Sequence, residues 1–161
     1  MKTAKMRLLK ACGVIIALAA LALPVRALAG AQVPYTGSDS GSFVPGTGSC
    51  AAGFISLDIN GSGTATQVGN YAYHADECFN GSAFYGAFTI TAANGDTVRA
   101  SYSGTAAADL TSYAETAVIQ GGTGRFAGAG GELDVSGLIT GPTTYNQTIS
   151  GAVSSPGSAK K

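Results

Sequence analysis

The sequence predicts an all-β domain, a small antiparallel β-barrel of about eight strands. Three observations carry that prediction. Apolar residues recur with a period of two in segment after segment, the pattern of half-buried strands. Short Gly-rich turns separate those segments, a spacing that fits a sandwich or a barrel. Glycines also sit inside the segments, at Gly86, Gly137 and Gly151. Glycine within a strand marks bulges and tight bends, and this favours the barrel.

The first stretch is set apart from that domain. Lys2, Lys5, Arg7 and Lys10 precede an apolar run from Ala11 to Val25, and Ala27 and Ala29 place small residues before Gly30. This is the layout of a secretory signal peptide over residues 1–29, cut after Ala29. The run is short for a membrane span, which needs about 20 residues. Cys12 stands ahead of the run, where a lipoprotein cysteine would stand behind it. The expected localisation is secreted or periplasmic, with no membrane span after cleavage.

Cleavage would leave Arg99, Arg125, Lys160 and Lys161 against all 9 acidic residues. Such a chain lacks the basic footprint of a nucleic-acid binder. It would keep two cysteines, Cys50 and Cys78. In an oxidising compartment a disulfide is the plain reading, with two free thiols or a metal pair as alternatives.

Residues 30–49 are rich in Gly, Ser, Pro and Thr and show no period. They read as a mobile lead-in with one short edge strand around Ser42–Val44. The barrel domain is placed at residues 50–153, and 154–161 read as a flexible tail. In Phe54–Asn60, Ile55, Leu57 and Ile59 alternate with Ser56, Asp58 and Asn60. Residues 64–75 are a weaker candidate, and "YHADEC" (73–78) reads as a loop. Phe84, Gly86, Phe88 and Ile90 share one face of the next strand. Asn94-Gly95-Asp96 then signals a hairpin, and Val98, Ala100 and Tyr102 share a face of the return strand. Residues 112–120, 131–140 and 143–153 complete the series.

The stretch "QGGTGRFAGAGG" (120–131) invites a phosphate-loop reading. The dinucleotide fingerprint fails at Ala127, and strand pattern rather than helix follows it. A P-loop needs a lysine, and none lies between Lys10 and Lys160. Nor would a flexible linker place Arg125 and Phe126 between two strands.

The run from Ala117 to Gly137 resembles the signature of the allene oxide cyclase and dirigent-protein barrels. There a strand runs into Gly-Gly-[Ser/Thr]-Gly-x-Phe, a small-residue segment and the next strand. Gly121, Gly122, Thr123, Gly124, Phe126, Gly128 and Gly131 occupy matching positions. Small secreted bacterial proteins of this barrel type look similar over residues 84–137. The resemblance implies a calycin-like eight-stranded barrel, with Gly121, Gly122, Gly124, Gly128 and Phe126 as structural residues. Phe126 would plug one barrel end. The resemblance is nearly silent on activity, because a fold does not fix a function.

The candidate chemistry centres on Glu115. It shares a face with Tyr113, Ala117 and Ile119. If that face is interior, burial raises its pKa and makes it a usable acid or base. If Ala114, Thr116 and Val118 face inward instead, Glu115 is solvated. Phe88, Tyr102 and Tyr113 are the candidate ligand-binding residues of the cavity. His74 with Asp76, Glu77 and Cys78 suggests a metal, but the acids are adjacent and the cysteine is expected to be oxidised. No metal or other cofactor is expected, and no G-x-S-x-G elbow supports a hydrolase.

Three functions fit. The first is non-enzymatic binding of a small apolar molecule, or of a surface partner, through the open barrel end. The second is an isomerase or cyclase of the allene oxide cyclase or dirigent type, using Glu115 with Tyr102 or Tyr113. The third is a structural envelope or matrix component without a pocket.

Overall fold

A computed structural model describes residues 31–154. The proposed signal peptide and nearly all of the proposed tail lie outside the described residues. Eight antiparallel strands, each hydrogen-bonded to the next, form a closed barrel. They are β1 (Gln32–Pro45), β2 (Ile55–Ala65), β3 (Gly69–Phe79), β4 (Ala83–Ala92), β5 (Thr97–Ala106), β6 (Ser112–Gly122), β7 (Gly131–Gly141) and β8 (Thr144–Ser154). β1 pairs with β8 as well as β2, so no edge is left for another chain to extend. Ser, Thr, Asn and Asp dominate the outward positions of β1 and β2. A membrane barrel has the reverse pattern, with its apolar band outside.

Two sequence expectations are corrected. The Gly/Ser-rich lead-in is β1, a strand of 14 residues, so the barrel begins at Gln32 and not at residue 50. Its inward row is Tyr35, Gly37, Asp39, Gly41 and Phe43. Glycine and aspartate in that row erased the apolar alternation. The glycines are there because neighbouring backbone is close: a Cβ on Gly37 would lie 2.8 Å from the Thr64 carbonyl oxygen. "YHADEC" is likewise not a loop but the second half of β3. Tyr71, Tyr73, Ala75, Glu77 and Phe79 point inward, and the acidic member disguised the period.

Aromatic rings lie over interior glycines. A Cβ on Gly86 would sit 2.8 Å from the Tyr102 hydroxyl, and one on Gly137 would overlap the Tyr113 ring. These strand glycines make room for the large side chains that fill the barrel.

The Asn-Gly hairpin is present, but only Gly95 takes a positive φ, at 85°. Gly95 N–H donates to Ala92 O at 2.9 Å, and Ala92 N–H donates to Asp96 O at 2.9 Å. The loop is therefore the three-residue type ending in a left-handed glycine.

The Gly-rich stretch forms the β6–β7 connection around a single 3₁₀ turn, Gly124–Phe126. Gln120 is the extra residue of a β-bulge, since Arg99 faces Gly121 and Ala100 faces Ile119. Gly121, Gly124 and Gly128 all have positive φ. Gly122 packs flat on Thr97, where a Cβ would overlap the Thr97 carbonyl oxygen. Phe126 is 0% exposed and belongs to the main core, as a plug requires. The β4–β5 hairpin clasps this turn. Thr97 N–H donates to Thr123 Oγ1 at 2.9 Å, and Arg125 N–H donates to Asp96 Oδ2 at 3.3 Å. Arg125 reaches across to Val68 O at 3.1 Å and lies 4.9 Å from the Phe126 ring centroid.

At the opposite end, Cys50 and Cys78 form a disulfide with Cα atoms 5.6 Å apart. It ties the β1–β2 loop to the outer face of β3. Phe54 stacks edge-on against Tyr85 at 5.2 Å, and Ala51 N–H donates to the Tyr85 hydroxyl at 3.2 Å. The crosslink spans 28 residues, and closing that loop contributes about 3.5 kcal/mol through the unfolded chain. Denaturant titration with and without reductant should show a loss of about this size. An unchanged midpoint would mean that the noncovalent contacts of the loop suffice.

Candidate functional site

The two barrel ends differ. The end holding Phe126 is packed with Tyr35, Ile90, Val98, Leu133 and Val153, all almost fully buried. The other end opens into a cavity of about 330 Å³. Its walls carry Phe43 and Leu57 from β1 and β2, Tyr73 and Phe79 from β3, and Phe84 from β4. Ile139 from β7 and Tyr145 from β8 complete them. Leu110, in the β5–β6 loop, and Pro142, in the β7–β8 turn, sit at the mouth. Val44, Ile55, Leu110 and Leu138 are exposed around this end.

Glu115 faces inward. The register of β6 places Tyr113, Glu115, Ala117 and Ile119 inside and Ala114, Thr116 and Val118 outside, which settles the alternative left open by the sequence. Glu115 is 8% exposed and lines the cavity. Burial, then the charges of Glu77 and Asp39, push its carboxyl up to about 8. Among the described residues its carboxylate has no hydrogen-bond partner.

Glu77 is the residue that sequence reasoning missed. It lines the same cavity and accepts a hydrogen bond from the Tyr102 hydroxyl at 3.1 Å. Burial raises its carboxyl to about 7, although that hydrogen bond opposes the shift. Inward alternation on β3 is the signal that points to it, and the adjacent polar residues His74, Asp76 and Glu77 mask that period.

A second acid, Asp39, was hidden in the apparent lead-in. Its Oδ2 accepts from the Tyr71 hydroxyl at 2.8 Å and from Gln147 Nε2 at 3.0 Å. Gln147 Oε1 in turn accepts from the Tyr113 hydroxyl at 2.7 Å. A polar chain thus runs from the cavity wall into the barrel. Burial raises Asp39 as well. Among the described residues, Asp39 Oδ1 and the Tyr35 and Tyr145 hydroxyls are buried without a partner.

The other candidates divide. Tyr113 lines the cavity and packs edge-on against Phe84 at 5.9 Å. Tyr102 touches it through Glu77. Phe88 lies deeper, stacked between Tyr73 at 5.3 Å and Tyr102 at 5.9 Å. It supports the cavity residues and does not line the cavity. Comparison with protein-family models, with curated proteins and with solved structures finds no match to this chain.

Strand alternation disperses the acidic cluster around His74. His74, Asp76 and Cys78 point outward while Glu77 points inward, and Cys78 is in the disulfide. His74 Nδ1 lies 3.2 Å from Asn60 Oδ1 and 3.6 Å from Asp58 Oδ1 on the outer surface. Among the described residues, no group of three or more His, Cys, Asp or Glu side chains is placed to hold a metal.

Proposed function

We propose that this protein is a secreted barrel that binds a small, largely apolar molecule through its open end. The cavity carries the reading. At about 330 Å³ it falls at the lower end of the range for small-molecule sites, about 300–1,000 Å³. Its wall is mainly aromatic and aliphatic, with few polar groups at its floor, as such sites are built. Among the described residues, the packing around Phe126 closes the opposite end to entry. Export is supported by the Cys50–Cys78 disulfide, which suits an oxidising compartment. Kinship with the allene oxide cyclase and dirigent barrels is supported by the closed eight-stranded meander and by the Gly-rich turn that seats Phe126.

The test uses n-octanol, which is neutral and small enough for the cavity. Calorimetric titration should give a dissociation constant at or below about 1 mM. Ala106→Trp, which fills the mouth from β5, should abolish binding while circular dichroism stays unchanged. Equal binding by wild type and Ala106→Trp would refute the cavity as the site.

A second reading, an isomerase or cyclase, is favoured by one observation. Glu77 and Glu115 are raised to about 7 and about 8, the range in which a carboxyl both gives and takes a proton at neutral pH. Tyr102, donating to Glu77, would orient that acid. Loss of turnover in Glu115→Gln with octanol binding retained would favour this reading over binding alone.

A further inference from the structure

The binding reading says nothing of the ligand's charge, and the cavity does. Three carboxyl groups point into the barrel: Glu77, Glu115 and, deeper, Asp39. Glu115 is more than nine-tenths buried, aimed into the cavity and without a hydrogen-bond partner among the described residues. A buried carboxylate left in that condition costs several kcal/mol. Among the described residues, no lysine, arginine or histidine lines the cavity. The basic side chains among the described residues lie elsewhere. Arg99 and His74 are on the outer face, and Arg125 is at the plugged end.

The remaining wall also suits a cation. Tyr73, Phe79, Phe84, Tyr113 and Tyr145 present rings around the acids, and aromatic faces attract cations in desolvated sites. A neutral hydroxyl can donate a hydrogen bond to the Glu115 carboxylate but leaves its charge uncompensated. An anion would add repulsion. An ammonium group supplies charge-assisted hydrogen bonds.

We propose that the ligand is an amphiphilic organic amine, bound with its ammonium group at Glu115 and Glu77 and its hydrocarbon part toward the apolar mouth. The proposal rests on the cavity being a ligand site. It carries a pH dependence. An alkylamine keeps its proton to about pH 10, like lysine, whereas Glu77 and Glu115 ionise near 7 and 8. Binding therefore strengthens as pH rises from 6 to 8.5. The groups facing these acids are Asp39 from β1, Tyr73 from β3, Tyr102 from β5, Tyr113 from β6, and Tyr145 and Gln147 from β8. The tyrosines all have raised values and stay neutral across this window.

The experiment titrates the disulfide-intact protein at pH 8.5 with n-octylamine, n-octanol and octanoate. Octylamine should bind about tenfold or more tighter than octanol, with octanoate weakest. The amine-to-alcohol ratio should shrink at pH 6, and in Glu115→Gln it should fall toward one. Glu77→Gln should reduce the ratio too, and it provides the same readout if Glu115→Gln folds poorly. Equal affinity for amine and alcohol, or a preference for octanoate, overturns the cationic assignment and leaves the cavity reading standing. A ratio that survives in both variants overturns the assignment to these acids. No binding of any of the three removes the cavity reading, and the amine with it.

Discussion

Phe126→Ala is expected to lower the melting temperature by about 10–20 °C. The ring is 0% exposed, and deleting a fully buried phenylalanine costs about 3–5 kcal/mol through lost transfer energy and the cavity left behind. A domain of this size loses about 3–5 °C per kcal/mol. Collapse cannot easily absorb the hole. The turn carrying Phe126 is clasped by Thr97 and Asp96, and its glycines already sit in conformations and close contacts that leave little slack. Phe126→Leu should recover most of the loss by refilling the volume. A shift of less than about 2 °C for the alanine variant would mean that the ring does not plug the barrel.

The second large effect is a stability that falls as pH rises, and its relief in Glu115→Gln. In the unfolded chain Glu115 releases its proton near 4.5, but in the folded barrel burial holds it to about 8. Between those values the folded state binds a proton that the unfolded state has lost, so unfolding free energy declines with pH. The contribution is fully present below about pH 4.5. It is lost progressively as pH approaches 8, by about 4 kcal/mol for this one group. Glu77 acts in the same direction up to about 7. Urea titrations at pH 5 and pH 8.5 should therefore show the wild type weaker at the higher pH. Glu115→Gln, which cannot ionise, should lose much less. Superimposable pH profiles for the two proteins would show that Glu115 is not buried in this way.

The same residues explain what could be read beforehand. The inward rows of β4, β5 and β6 are mostly apolar or aromatic, so their alternation survives in sequence. Phe88, Tyr102, Tyr113 and Glu115 were legible there. So was the pairing of Cys50 with Cys78 as the plain reading. Asp39 and Glu77 were not legible. Both occupy inward positions, but a polar residue in an inward row looks like a break in the pattern. In β1 the glycines compounded the effect. Gly37 and Gly41 face the interior because neighbouring backbone fills the space a side chain would need.

The fold class, the hairpin at Asn94–Asp96, the structural character of the Gly-rich stretch and the rough number of strands all follow from the order of residues. Those features are local. They depend on period, on turn residues and on glycine's backbone freedom, and each can be read within about ten residues. Three features emerge with the folded barrel: β1 closes it, one end is plugged while the other is open, and Glu115, Glu77 and Asp39 share one interior. Barrel closure joins residues at opposite ends of the domain, such as Gln32 with Ser154. The three acids come from β6, β3 and β1. Their raised pKa values arise because closure removes water from all of them together, and no stretch of sequence holds that information alone.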